Sequence, residues 1–171
     1  MKHLFILLSF LFCANIWAQK DLDQLLKKYN DNGVPYISVE ELAMPKTNAI
    51  ILDSREFEEY EISHLENAIY VGYSDFNIKK INELISDKNT PIVVYCSLGI
   101  RSETIGEKIK DAGYTNVRNL YGGIFEWKNK EFTIIDSNNK ATEKVHAFSK
   151  SWSKWLKNGE KIYSTLVTLG L

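Results

Sequence analysis

The sequence predicts an α/β domain: a parallel sheet flanked by helices on both faces, with a C-terminal extension. Three observations carry that reading. Ile92-Val93-Val94-Tyr95 is short, wholly apolar and mostly β-branched, the composition of a strand buried on both sides of a parallel sheet. Comparable runs at 49–52, 68–71 and 117–120 alternate with segments whose apolar residues recur at helical spacing. Gly and Pro punctuate the boundaries between them.

Taken in order, Leu22, Leu25, Leu26 and Tyr29 mark a first helix, which Gly33 and Pro35 stop. Tyr36 to Val39 reads as a short strand, and a helical turn follows through Glu41-Leu42 up to Pro45. Ala49 to Leu52 is short enough for a buried strand. Asp53 with Glu56 three residues later resembles a capping box, opening a short helix through Tyr60. Ala68 to Val71 is the next strand, and Ile78, Ile81, Leu84 and Ile85 stripe a helix that ends before Pro91. After Ile92 to Tyr95, Ile105, Ile109 and Ala112 mark another helix, closed by Gly113. Val117 to Leu120 supplies a further strand, and Gly122-Gly123 turns into a helix from Ile124 to Lys128.

Beyond about residue 130 the pattern changes. Phe132 to Ile135 suits a strand, and Asp136 to Asn139 is a turn cluster. Phe148, Trp152, Trp155 and Leu156 fall at i, i+4, i+7 and i+8, which predicts an amphipathic helix packing on the sheet domain.

The N-terminus reads as an export signal. Lys2 and His3 precede an apolar run from Leu4 to Ala14, too short for a comfortable membrane span, and Ala18 offers a small residue before a cut at Gln19. The expected organisation is therefore a signal at 1–18, a helical segment at 19–35, a main domain at 36–130 and the extension at 131–171. The mature chain would be exported, periplasmic or secreted, with no membrane attachment after cleavage. An uncleaved N-terminal anchor is the alternative.

The whole chain has 21 Lys and Arg against 22 Asp and Glu, and losing Lys2 makes this 20 against 22. No basic run suggests nucleic acid. Cys13 leaves with the leader, so Cys96 is the single mature thiol and no internal disulfide can form. Only His64 and His146 remain as histidines, so no metal set is expected.

Cys96 directly follows an expected central strand, at the carboxyl end where open α/β sheets bind ligands. It opens the run Cys96-Ser97-Leu98-Gly99-Ile100-Arg101-Ser102, which leads into the helix striped by Ile105. Such a loop can turn its N–H groups toward one point, and the helix dipole adds positive potential there. The thiol pKa should fall below its free value of roughly 8.5. Gly99 suits the tight turn, and Arg101 adds a permanent cation with a planar fork of donors. A nucleophile in this setting fits covalent catalysis, with sulfur held on the cysteine and a small anionic donor beside it.

These residues resemble the rhodanese family. Asp53-Ser54-Arg55 through Glu59-Tyr60, then His64-Leu65-Glu66-Asn67-Ala68, is similar to its first conserved stretch. Cys96 to Ser102 is similar to its Cys-x-x-Gly-x-Arg-Ser loop, and Gly122-Gly123 with Trp127 to its closing Gly-Gly…Trp, the likeness covering residues 36 to about 129. The resemblance implies a rhodanese-like fold, a sulfurtransferase carrying a Cys96 persulfide, and no cofactor. It implies a small sulfur-containing anion as donor, a thiol acceptor, and room for a partner protein. Ser97, Leu98, Gly99, Ile100, Arg101 and Ser102 would hold the substrate, while Asp53 and Arg55 brace the framework. His64 reads as a structural histidine. Ser63 and Asn67 depart from the pattern, standing where the family has glycines.

Two other functions compete. Related cysteine phosphatases and arsenate reductases use a Cys-x5-Arg loop, whereas this chain has the shorter Cys-x4-Arg. Non-catalytic binding modules commonly lose the cysteine, which this chain keeps.

Overall fold

The computed structural model describes residues 21–163; the expected leader at 1–18 lies outside them. The chain divides into one compact unit up to Asn32 and another from Gly33 onward. The first contains helix α1 at 21–29, where the apolar spacing places it.

The second unit is built on a five-stranded, wholly parallel sheet. Its strands are β1 (Tyr36–Ile37), β2 (Ile50–Asp53), β3 (Ile69–Tyr70), β4 (Ile92–Tyr95) and β5 (Val117–Leu120), in the order β1-β5-β4-β2-β3. β4 is therefore central, with Ile50 opposite Ile92 on one side and Val117 opposite Ile92 on the other. All four of its residues are buried, as the composition of a central parallel strand predicts. Between the strands run α2 (Val39–Leu42), α3 (Phe57–Ile62), α4 (Ile78–Leu84) and α5 (Arg101–Asp111), with α6 (Gly123–Asn129) after β5.

Ile92 and Val94 join Ile81, Ile85, Ile105 and Ile109 in one apolar cluster beneath α4 and α5. Strand alternation sends Val93 and Tyr95 to the opposite face. The sheet end thus points β4 at the loop that Cys96 opens.

Two local expectations are corrected. Asp53 does not start α3: the capping box is formed by Glu56 and Glu59, with the Glu56 N–H donating to Glu59 Oε2 at 2.9 Å. Asp53 is instead held by Arg55, whose Nη2 lies 2.6 Å from its Oδ2, and both side chains are fully buried. A surface ion pair, the alternative role open to these residues in the sequence, is thereby overturned. Asn67 takes the left-handed conformation (φ 61°) that its glycine counterpart would, whereas Ser63 is simply extended (φ −169°).

The extension forms a hairpin of β6 (Ile134–Ile135) and β7 (Ala141–Thr142), then a parallel pair of β8 (Lys144–His146) and β9 (Glu160–Ile162). No amphipathic helix runs through Phe148 to Leu156. Phe148 has a left-handed backbone (φ 62°), and only Ser153–Trp155 form a 3-10 turn. The reason lies in the serines between the aromatic residues. Ser149 Oγ accepts the Trp152 N–H at 3.3 Å and Ser153 Oγ donates to the Lys150 carbonyl at 2.9 Å, so side chains take over bonds that a helix would make. The stripe is split: Leu156 is fully buried, while Phe148 remains exposed.

Candidate active site

Cys96 stands at the end of β4 with its side chain almost fully buried. The chain from Tyr95 to Arg101 then curls around it because its carbonyls are drawn elsewhere. Ser54 donates to the Tyr95 carbonyl through both its N–H and its hydroxyl, at 2.9 and 2.8 Å. Ile124 and Phe125 N–H groups, from the first turn of α6, hold the Cys96 and Ser97 carbonyls at 2.9 and 3.2 Å. Asn119 Nδ2 holds the Gly99 carbonyl at 2.8 Å.

With carbonyls turned outward, N–H groups face inward. The Gly99 N–H donates to Cys96 Sγ at 3.2 Å, and Ser102 Oγ lies 3.5 Å from it, at the start of α5. Burial pushes the Cys96 thiol up, but the Arg101 cation, the Ser102 hydroxyl and N–H, and the Leu98 N–H outweigh it, so its pKa is lowered. Ser102 Oγ also sits 2.7 Å from Asn119 Oδ1. Its single proton serves one acceptor at a time, so the hydroxyl can turn to the sulfur when negative charge grows there.

Two glycines make the curl possible. Gly99 has φ 101°, and a Cβ there would come within 3.3 Å of the Leu120 carbonyl oxygen. Gly123 has φ 55°, and a Cβ there would strike the Cys96 carbonyl oxygen and lie 2.7 Å from the Ser97 carbonyl carbon.

Arg101 is engaged by Glu59 of α3, Nη1 to Oε2 at 2.7 Å and Nη2 to Oε1 at 2.9 Å, and it also donates to Ser97 Oγ at 3.1 Å. Burial opposes ionisation of Glu59. Donors on His146 and Arg101, and the Arg101 and Arg55 charges, nonetheless hold it below the usual carboxylate range. His146 Nδ1, from β8, is 3.6 Å from Glu59 Oε1.

The sequence-derived residues separate into two places. Cys96, Ser97, Leu98, Ile100 and Arg101 line one pocket, with Gly99 and Ser102 shaping it from behind. Asp53 and Arg55 lie outside it, under the strand end. Tyr95 donates its phenolic proton to Asp53, and burial with the Asp53 charge holds that phenol well above its usual range. His64 stacks on Tyr60 at 4.0 Å between ring centroids and pairs through its backbone with Ile135. Among the described residues, no group of three or more His, Cys, Asp or Glu is placed to hold a metal ion.

Sequence reasoning did not place Glu59, Asn119, Phe148 or Trp152 in the site. Asn119 carried a signal: a polar residue in an otherwise strand-like run, fully buried here, needs partners and finds them in Gly99, Ser102 and Glu103.

Comparison with known proteins agrees with this geometry. Residues 38–130 match the Rhodanese-like domain family. The chain is 31% identical over 83 residues to thiosulfate sulfurtransferase GlpE of Coxiella burnetii, covering 48% of this chain and 75% of that protein. It is 38% identical over 97 residues to the tRNA uridine(34) hydroxylase of Leptospira interrogans, where the match spans 54% of this chain but only 26% of the relative. Among solved structures, a thiosulfate sulfurtransferase from Pseudomonas aeruginosa superposes with a TM-score of 0.57 at 22% identity, covering 81% of this chain and 26% of that one. The rhodanese-like domain of Anabaena Alr3790 gives 0.53 at 21% identity, covering 60% and 79%. At these identities the structures speak for the fold alone.

Proposed function

The chain belongs to the rhodanese-like domain family, and from that membership we propose that it transfers sulfane sulfur through a persulfide on Cys96. The observation that carries this reading is the set of donors around Sγ: Gly99 N–H, Ser102 and the nearby Arg101 charge all favour a thiolate.

In the first step the Cys96 thiolate attacks the outer sulfur of a donor such as thiosulfate. The new S–S bond forms as the donor's own S–S bond breaks, and the electron pair leaves with sulfite. The inward N–H groups then stabilise the terminal persulfide sulfur as they did the thiolate. In the second step an acceptor thiolate or cyanide attacks that terminal sulfur, and the electron pair returns to Cys96. Neither step needs an external oxidant or a cofactor, because the oxidation level resides in the transferred sulfur.

Intact-mass measurement after exposure to thiosulfate tests the proposal. The expected result is one added sulfur atom on the parent protein, none on Cys96→Ser, and negligible turnover of an aryl phosphate. A parent mass left unmodified by thiosulfate and by an organic thiosulfonate alike would instead favour a non-catalytic binding module. Vigorous phosphate hydrolysis would favour an oxyanion enzyme.

The apolar run at Leu4 to Ala14 extends the proposal to an exported protein, which the N-terminal residue of the mature chain would test.

A further inference from the structure

The pocket above Cys96 is not the charged hollow expected for a small inorganic anion. It holds about 90 Å³, and Leu98, Ile100, Phe148 and Trp152 line it together with Cys96, Ser97 and Arg101. Phe148 and Trp152 come from the extension, outside the residues that match the family.

Their placement is built. Phe148 holds a left-handed backbone, which is unusual for a bulky residue and costs energy that surrounding contacts must offset. Its backbone nitrogen lies 3.3 Å from His146 Nδ1, and the Ser149 N–H donates to the Ala147 carbonyl at 2.7 Å. The ring meets Trp152 edge to face at 6.4 Å, and the Arg101 guanidinium carbon lies 4.8 Å from its centroid. Phe148 is nevertheless 44% exposed, so it lends apolar surface to the pocket rather than filling the core.

Charge points the same way. Glu59 binds both terminal nitrogens of Arg101, so most of its fork is already committed to a protein carboxylate. An inorganic dianion entering here would lose more hydration against the apolar walls than a monoanion would.

Resting on the sulfur-transfer reading above, we propose that the donor is an organic sulfane-sulfur monoanion, a thiosulfonate or perthiolate, whose apolar substituent lies against Phe148 and Trp152. With a thiosulfonate R–SO2–S⁻, the Cys96 thiolate bonds to the terminal sulfur and the S–S bond of the donor breaks. The electron pair leaves on the sulfinate R–SO2⁻. Charge is conserved, and no other reactant is consumed.

The test compares benzenethiosulfonate with thiosulfate on the full chain, by kcat/KM with cyanide as acceptor and by the rate of sulfur loading at Cys96. The expected preference for the organic donor is about tenfold or more, the scale on which an apolar pocket discriminates. Phe148→Asn retains a residue suited to the left-handed turn while removing the ring. It and Trp152→Ala should each reduce that preference several-fold, with melting temperatures near the parent's. Sulfur loading from both donors at similar efficiency, or a preference unmoved in both variants, overturns the proposal while leaving sulfur transfer intact. No loading from either donor overturns sulfur transfer itself, and this proposal with it.

Discussion

Arg101 and Glu59 face each other through two parallel contacts, 2.7 and 2.9 Å long, across 42 residues of sequence. The pair joins the first turn of α5 to α3, and only 13% and 4% of the two side chains are exposed. The cation beside Cys96 is thus part of the framework as well as of the pocket. The sequence by itself suggested an arginine whose fork was open to the donor.

Arg101→Ala should therefore act on stability first. It leaves the Glu59 carboxylate buried without its main partner, a loss of about 3–5 kcal/mol for such a pair. In a domain of this size that lowers the melting temperature on the order of 10 °C. Calorimetry on the variant decides the matter; an unchanged melt would mean that solvent or another cation reaches Glu59.

Glu59→Gln tests the electrostatic half. Removing the opposing charge leaves Arg101 more positive toward the sulfur, so the thiolate is favoured further. The acid limb of the activity profile, below the roughly 8.5 of a free thiol in the parent, should move lower still. Thiosulfate should also bind more readily. An acid limb displaced upward would show that the loss of loop order outweighs the gain in charge.

Acid sensitivity follows from the same carboxylate. The folded pKa of Glu59 is depressed, so its contribution to stability is present above the unfolded value of about 4.3 and fades as pH falls below it. Melting temperatures taken from neutral pH downward should fall steeply through that window in the parent. The Glu59→Gln variant should show a shallower slope.

Gly123→Ala should damage the loop without touching Cys96 itself. The added carbon meets the Cys96 carbonyl and the Ser97 backbone, neither of which can yield without shifting the sulfur, and the position has φ 55°. Sulfur loading is expected to drop at least tenfold, accompanied by about 1–3 kcal/mol of destabilisation. Chemical denaturation and intact mass, measured side by side, would separate the two effects. Loading at the parental rate would show that the α6 contact is dispensable.

Asp53→Asn removes the charge opposite a fully buried Arg55, whose Nη2 also donates to the Ser63 carbonyl at 2.6 Å. The expected loss is again about 3–5 kcal/mol, because a buried guanidinium is left uncompensated. If the protein survives, its Cys96 chemistry should be affected less than its melt, since neither residue lines the pocket.

Much of this was legible in the chain. The unbroken apolar run of β4 could belong only to a buried strand, and it lies at the centre of the sheet. The glycines around Cys96 marked where the backbone had to turn, and Gly99, Gly122 and Gly123 all adopt positive φ. These features are local: periodicity, side-chain bulk and backbone freedom act over a few residues, so a few residues reveal them.

The partners in the site were decided otherwise. Glu59, Asn119, Phe148 and Trp152 reach the sulfur loop from α3, β5 and the extension, and no spacing in the chain records that approach. Helical spacing at Phe148 to Leu156 even suggested the wrong element, because periodicity counts apolar positions but not the serines that compete for the backbone. Asp53 likewise looked like a local cap until burial left a guanidinium in need of its charge. Sequence determined the Cys96 loop and the sheet that presents it, since each rests on neighbouring residues. Only tertiary closure decided the carboxylate that faces Arg101 and the apolar wall above Cys96, since burial makes distant polar groups pair and sets distant rings side by side.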